Sequence, residues 1–196
     1  MPNIRNEALR TKLLECAIRH FAQKGYAGAN LMEIAAEVGV TRGPVYYYFA
    51  GKAELFEAAV AHVIETTKRA YEQILDPAAP VESVIRADYE YCLEEKGLFF
   101  LSQSDTMSMP QVQSAWDEFS SWLVARKRQV FEAAVSRGEL APDCDIAELI
   151  TFIYTFFYGI EKVRPIAEKI DGFSREMLQH STDVFMGIIK QRYLKG

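Results

Sequence analysis

The run Val38 to Phe49, VGVTRGPVYYYF, places an arginine, a glycine-proline pair and three consecutive tyrosines within seven residues, Arg42 to Tyr48. The chemistry open to these side chains is that of a polyanion surface. Phenol hydroxyls bond phosphate oxygens, ring edges touch thymine methyls, and a guanidinium either reads guanine O6 and N7 or holds a phosphate. A glycine among them allows close approach. Catalytic chemistry finds no comparable support. His20, His62 and His180 are scattered, and no Ser-His-Asp set, HExxH or glycine-rich phosphate loop is present. No enzyme activity and no cofactor is expected. Cys16, Cys92 and Cys144 form no CxxC pair and no Cys/His zinc motif, so three reduced, mostly buried thiols are expected, without a disulfide or a metal site.

The elements around this run decide how it is presented. Val-Tyr-Tyr-Tyr-Phe alone has high β-propensity and Gly-Pro alone reads as a turn. A helix start accommodates both. With Thr41 as N-cap, Arg42, Gly43 and Pro44 take the first three positions, where a missing N–H forfeits nothing. Proline crowds the residue before it, and that residue, Gly43, has no Cβ to clash. At 100° per residue, Val45 and Phe49 share an inward side, while Gly43, Tyr46 and Tyr47 share a largely opposite one. Tyr48 falls on a flank, where phosphate contact and packing both remain open.

Upstream, Leu9, Leu13, Leu14, Ala17, Ile18 and Phe21 recur at helical steps, and Gly25 suits the C-terminal cap. Asn30 is placed to cap a second helix, with Glu33 completing a capping box and Gly39 ending it. Two short helices separated by EVGVT have the dimensions of a helix-turn-helix.

A long helix follows from about Lys52 to Leu75, with an apolar stripe of Leu55, Phe56, Ala59, Val60, Val63, Ile64 and Ile74. After the break DPAAP, helices are expected over 81–95, 98–107, 111–137, 143–163 and 174–193. The expected fold is all-α, with about nine helices. The composition, 49% hydrophobic and 12% aromatic, suits a globular chain. The net charge of −5 conceals an asymmetry: residues 1–52 hold seven Lys/Arg against four Asp/Glu, while 53–196 hold fifteen against twenty-three. A polyanion partner would meet the N-terminal end. The start carries no signal-peptide core, and the longest apolar run, Leu149 to Ile160, is short of the about 20 residues a bilayer needs. A cytoplasmic chain with no membrane partner is expected.

The run LMEIAAEVGVTRGPVYYYFAGKAELF, Leu31 to Phe56, resembles the DNA-binding signature of TetR-family transcriptional regulators, closest to the AcrR-like branch. TKLLECAIRHFAQKGYAGAN before it is similar to that family's first helix. The resemblance implies a three-helix DNA-binding domain at 1–51 and an effector-binding and dimerisation domain at 52–196. It puts Thr41, Arg42, Gly43 and Tyr46 against base edges, and Tyr47, Tyr48 and Lys52 against phosphates. The last is supported by the anion preference of a helix start bearing a lysine. Many members carry a Thr pair where this chain has Asn30-Leu31; Asn30 can still reach a phosphate and Leu31 cannot.

In the family the central helices enclose a pocket for a small effector. The candidates here are His62, Tyr89, Phe99, Gln103, Met107, Trp116, Phe119 and Trp122, which would suit a hydrophobic or aromatic compound. Helix 143–163 is apolar nearly all round and helix 174–193 adds further apolar residues; the two are expected to bury a homodimer interface through Phe152, Phe156, Phe157, Met177, Phe185, Ile188 and Ile189. A two-fold dimer matches a palindromic double-stranded DNA operator, with recognition helices about 34–36 Å apart. The resulting expectation is a ligand-released repressor. An activator or ligand-independent member is the alternative, and a helical enzyme or adaptor a more distant one.

Overall fold

Helical periodicity becomes eight helices among the described residues of a computed structural model, which describes 4–93, 109–167, 169–170, 172 and 175–195, the side chains of 4–6, 158, 160–167, 175, 178 and 179 excepted. They are α1 (Ile4–Gly28), α2 (Leu31–Val38), α3 (Arg42–Tyr48), α4 (Lys52–Ile74), α5 (Val81–Leu93), α6 (Pro110–Ser136), α7 (Ile146–Ala167) and α8 (Arg175–Arg192). No strand forms among the described residues; an isolated antiparallel bridge joins Leu140 and Leu194. The helix expected over 98–107 lies outside the described residues.

Local chemistry sets the helix ends. Gly25, at φ 68° and ψ 172°, interrupts α1 in a region that L side chains avoid. The Asn30 side chain caps α2 by accepting from the Met32 N–H at 2.8 Å. Glu33, the expected other half of a capping box, turns to Lys24 Nζ at 2.5 Å. Gly39 closes α2 in the left-handed region, φ 80°, its N–H reaching the Ala35 and Ala36 carbonyls. The Asp145 side chain caps α7 by accepting from Ala147 N at 2.7 Å.

The chain divides into two compact units, Met1–Lys68 with Gly97–Phe119 and Arg69–Lys96 with Ser120–Gly196. In the first, Leu13, Leu14, Ala17 and Phe21 of α1 are buried, as are Ile34 and Ala35 of α2, Val45 and Phe49 of the α3 segment, and Leu55, Phe56, Ala59 and Val60 of α4. An aromatic triangle closes this core: Phe21 meets Phe56 edge-on at 4.8 Å, and Tyr26 meets Phe56 at 5.2 Å. Three polar contacts pin α1 to α2. Arg19 reaches Glu37 at 2.7 Å, His20 Nε2 reaches the other Glu37 oxygen at 2.8 Å, and Lys24 holds Glu33.

The second unit buries Val81, Val84, Ile85 and Tyr89 of α5, Leu123, Val130 and Phe131 of α6, Leu149, Ile153 and Phe157 of α7, and Phe185, Met186 and Ile189 of α8. Its centre is a ring stack. Phe185 lies 5.0 Å from Tyr89 and 4.7 Å from Phe156. The turn before α5 is held by Arg137, which donates to the Pro77 and Ala79 carbonyls and to Glu139. Glu139 in turn accepts from Val81 N at 2.7 Å, satisfying the first N–H of α5. The α4 stripe departs from expectation at its end. Thr67 and Tyr71 continue it, whereas Ile74 is only half-buried and Leu75, just past the helix, is buried instead.

Candidate nucleic-acid interface

α3 has seven residues, and its two faces differ sharply. Val45 and, at its C-cap, Phe49 are almost wholly buried, at 1% and 2% exposure. Tyr46 and Tyr47, one and two residues after Val45, are 41% and 74% exposed. A Cβ built on Gly43 would meet nothing within 4 Å, so the backbone beside the tyrosines is open to a close approach. Thr41 stands at the N-cap with extended backbone, φ −81° and ψ 176°, but its side chain makes no cap hydrogen bond and remains outward. Arg42 lies over the Tyr46 ring at 4.5 Å and donates to the Tyr46 hydroxyl at 3.2 Å. The guanidinium and a phenol are thus held as one exposed donor surface. Tyr48 is half-buried, its ring edge-on to Tyr47 at 5.0 Å.

Two expected phosphate ligands have structural employment as well. Lys52 Nζ donates to the Ala27 and Ala29 carbonyls at 3.0 and 3.1 Å and sits 4.8 Å from the centre of the Tyr26 ring. An ammonium carries three N–H donors, so two carbonyls leave one for a phosphate. Asn30 is exposed, but its side-chain oxygen is spent on the α2 cap, leaving its amide NH2 to donate. Behind this face, Glu37 is held by Arg19 first and then by His20. Together they take its carboxyl down to about 2, so the α1–α2 pin is ionised at any physiological pH.

Of the expected effector residues, Phe99, Gln103 and Met107 lie outside the described residues. His62, Trp116 and Trp122 are half-buried. Phe119 is 4% exposed and 6.2 Å from the Trp116 ring. Tyr89 is wholly buried in the ring stack, with its hydroxyl 2.7 Å from Ser181 Oγ. Trp122 lines an open cleft with Glu72, Ala125, Arg126 and Gln129.

Sequence reading missed a buried ion pair in the second unit. Lys127 and Asp88, 1% and 2% exposed, are in direct contact through Nζ and Oδ2. The Lys127 ammonium also faces three rings, Tyr154 and Phe157 at 5.1 Å and Tyr71 at 5.7 Å. Asp88 Oδ1 and the Tyr154 hydroxyl are buried with no hydrogen-bond partner. Burial first, then the Asp88 charge, pushes the Tyr71 hydroxyl well above the ordinary phenol range. A signal was present in the sequence. Asp88 falls on the stripe Val81, Val84, Ile85, Tyr89, Cys92, and Lys127 on Leu123, Val130, Phe131, Ala134, where neither charge belongs unless paired.

Of the expected interface residues, Phe157, Phe185 and Ile189 are taken by the chain's own core. Phe152 and Phe156 are half-buried, stacked on Phe185 at 6.0 and 4.7 Å. Met177 and Ile188 of α8 are exposed, and Val184 joins them, at 55%, 40% and 50%. At spacings of seven and four, these three form one apolar stripe.

Residues 13–59 match the family model for bacterial regulatory proteins of the tetR family, a span covering α2 and α3 whole. The chain is 29% identical over 150 residues to the HTH-type transcriptional regulator SrpR of Pseudomonas putida, covering 71% of this chain and 67% of that protein. It is 26% identical over 185 residues to the HTH-type transcriptional repressor AcnR of Corynebacterium glutamicum, covering 93% of each. Its fold is similar to that of a transcriptional regulator from Saccharomonospora viridis solved in complex with choline. The TM-score is 0.79 at 17% identity, with coverage of 97% of this chain and 100% of that one. No helix among the described residues is long and apolar enough to cross a membrane.

The buried pair yields a prediction. Lys127→Met alone leaves the Asp88 charge uncompensated and should destabilise the fold by about 3–5 kcal/mol, whereas Lys127→Met with Asp88→Leu should recover most of that loss. Urea denaturation of the wild type, each single variant and the double variant measures it.

Proposed function

We propose that this chain, which belongs to the TetR family of bacterial transcriptional regulators, acts as a homodimeric repressor on a palindromic DNA operator and is released by a small, largely apolar effector. One observation carries the DNA-binding part: α3 buries Val45 and Phe49 and turns Gly43, Tyr46 and Tyr47 outward beside Arg42. Exposing two large rings to water on a monomeric surface gains nothing for the fold. Laid in a major groove, the same rings reach phosphates and thymine methyls, and the guanidinium reaches guanine. Thr41, Arg42, Gly43 and Tyr46 take the base-edge roles; Tyr47, Tyr48, Lys52 and Asn30 take the backbone.

The dimer reading is supported by the exposed stripe Met177, Val184 and Ile188, which water leaves unsatisfied and a second copy would cover. The effector reading draws on the second unit. Its core holds an ion pair and a phenol with unmade hydrogen bonds, and a ligand bearing one polar group could supply them. That the fold relative from Saccharomonospora viridis binds choline supports a ligand of that size. α4 contributes residues to both units, so it is the covalent route by which a change in one reaches the other. An effector acts through it only by favouring the conformation that does not bind DNA, because equal affinity for both would shift nothing.

Three measurements test this reading. With an operator duplex selected on the wild-type protein, Tyr46→Ala or Tyr47→Ala should abolish the mobility shift while leaving circular dichroism unchanged; retained affinity would remove α3 from the interface. Lys52→Gln should reduce the slope of log K against log[salt] by about 0.9 and weaken binding to unrelated duplexes alike, and an unchanged slope would take Lys52 off the phosphates. Sedimentation at micromolar concentration should show a dimer that Ile188→Glu splits into folded monomers; a monomeric wild type would refute the α8 stripe as its interface.

A further inference from the structure

The turn between α1 and α2 brings together two pairs of residues that sequence spacing alone leaves separate. Cys16 and His20 stand four apart on α1, and Glu33 and Glu37 stand four apart on α2, so each pair occupies one helix face. In the folded head a Cys16 sulfur, a His20 ring nitrogen and a Glu37 carboxylate oxygen all lie within 4.8 Å of one another. We propose that Cys16, His20 and Glu37 bind one divalent cation of the Zn2+ class, with Glu33 as the carboxylate that orients the His20 ring.

The donor set fits that ion. One thiolate, one imidazole and one carboxylate are the three protein ligand types that zinc takes, and their two negative charges neutralise its two positive ones. Glu37 divides its oxygens suitably: Arg19 holds Oε1 at 2.7 Å, and Oε2 faces His20 Nε2 at 2.8 Å. Ligand atoms about 2.0–2.1 Å from a tetrahedral ion lie about 3.3 Å apart, so the Oε2 to Nε2 separation has to open by only about 0.5 Å. Glu37 is half-exposed, giving an ion a way in, while Cys16 is wholly buried.

The contact between His20 and Glu37 accounts for part of this arrangement and leaves two features over. His20 is 8% exposed, yet its Nδ1 has no hydrogen-bond partner. The Glu33 Oε2 atom stands 3.9 Å from that nitrogen. A metal on Nε2 fixes the proton on Nδ1, and a carboxylate behind the ring is the usual acceptor for it. The second feature is the Cys16 thiol, wholly buried, which makes a long 3.8 Å contact to the Ile34 carbonyl and also interacts with Glu37 and Arg19. Bound there, an ion would tie α1 to α2 directly. α2 packs on α3, so the metal would stiffen the platform of the recognition helix without touching DNA.

The full-length protein, stripped with chelator and titrated with Co2+ or Zn2+ alone, tests the site. One equivalent of Co2+ per chain should bind with thiolate-to-cobalt charge-transfer absorption and tetrahedral visible bands. Zn2+ should displace it and raise the thermal midpoint. Cys16→Ser and His20→Gln should each lose the charge-transfer absorption or the tetrahedral bands, with Cys144→Ser keeping both. Glu33→Gln should keep the spectrum and weaken affinity by about 10–100-fold. Two safeguards allow for variants that fail to fold. Circular dichroism checks each one, and Glu37→Gln, on a half-exposed side chain, repeats the test without disturbing the core. No charge-transfer absorption in the wild type overturns the proposal, as does a band that survives Cys16→Ser or disappears in Cys144→Ser.

Discussion

The exposed face of α3 depends on the burial of Val45 and Phe49. A seven-residue helix has too few internal hydrogen bonds to offset the cost of its own nucleation and does not persist alone in water. It exists here because two apolar side chains four residues apart enter the core of the first unit, at 1% and 2% exposure. That pair fixes the rotation of the helix about its axis. Once the rotation is set, Tyr46 and Tyr47 have no inward position left. The arginine above Tyr46 and the bare Gly43 then complete a surface whose composition suits DNA. Loss of either anchor would free the rotation and blur the surface, with no contact residue touched.

The platform beneath α3 is held by short-range devices of several kinds. The Phe21, Tyr26 and Phe56 rings supply apolar closure, while Arg19, His20 and Lys24 on α1 meet Glu33 and Glu37 on α2. The exposed ion pairs of Arg19 and Lys24 contribute little individually, and here the service of all three contacts is geometric: they set where α2 lies on α1. Lys52 does the same at the end of α1, tying the Ala27 and Ala29 carbonyls to the start of α4. One side chain thereby joins the end of α1, the turn after it and the start of α4.

The second unit is built on different terms. Its ring stack around Phe185 buries much apolar area, and α5, α6 and α7 deliver to one place a lysine, an aspartate and aromatic rings sealed from water. A buried ion pair is a poor way to gain stability, because desolvation consumes most of its attraction. Its persistence beside two unsatisfied polar atoms marks this core as one with unfinished polar business, unlike the satisfied surface contacts of Arg137 and Glu139. That contrast, more than any pocket volume, is what supports the effector site proposed for this unit.

Much of this was legible from residue order, because local rules dominate short helices. Thr41 at the N-cap, Pro44 in the first turn, Asn30 as cap and Gly39 as stop depend on neighbours within four residues, and so does the inward pairing of Val45 with Phe49. Stripe periodicity foretold the all-α fold for the same reason. What spacing cannot rank is competition between partners distant in the chain. Phe157, Phe185 and Ile189 read as interface residues because an apolar helix face needs cover, and only tertiary packing decided that the cover is the chain's own core. Lys52 read as a phosphate ligand alone, and only the fold brought two carbonyls to it from 23 and 25 residues away. The scattered histidines and cysteines gave no hint of a cluster, since Cys16 and His20 meet Glu37 only when α2 folds back on α1. Sequence by itself determined which faces exist, through interactions a turn or less in range. The tertiary structure decided what each face meets, because that depends on contacts whose entropy of closure only the whole fold can repay.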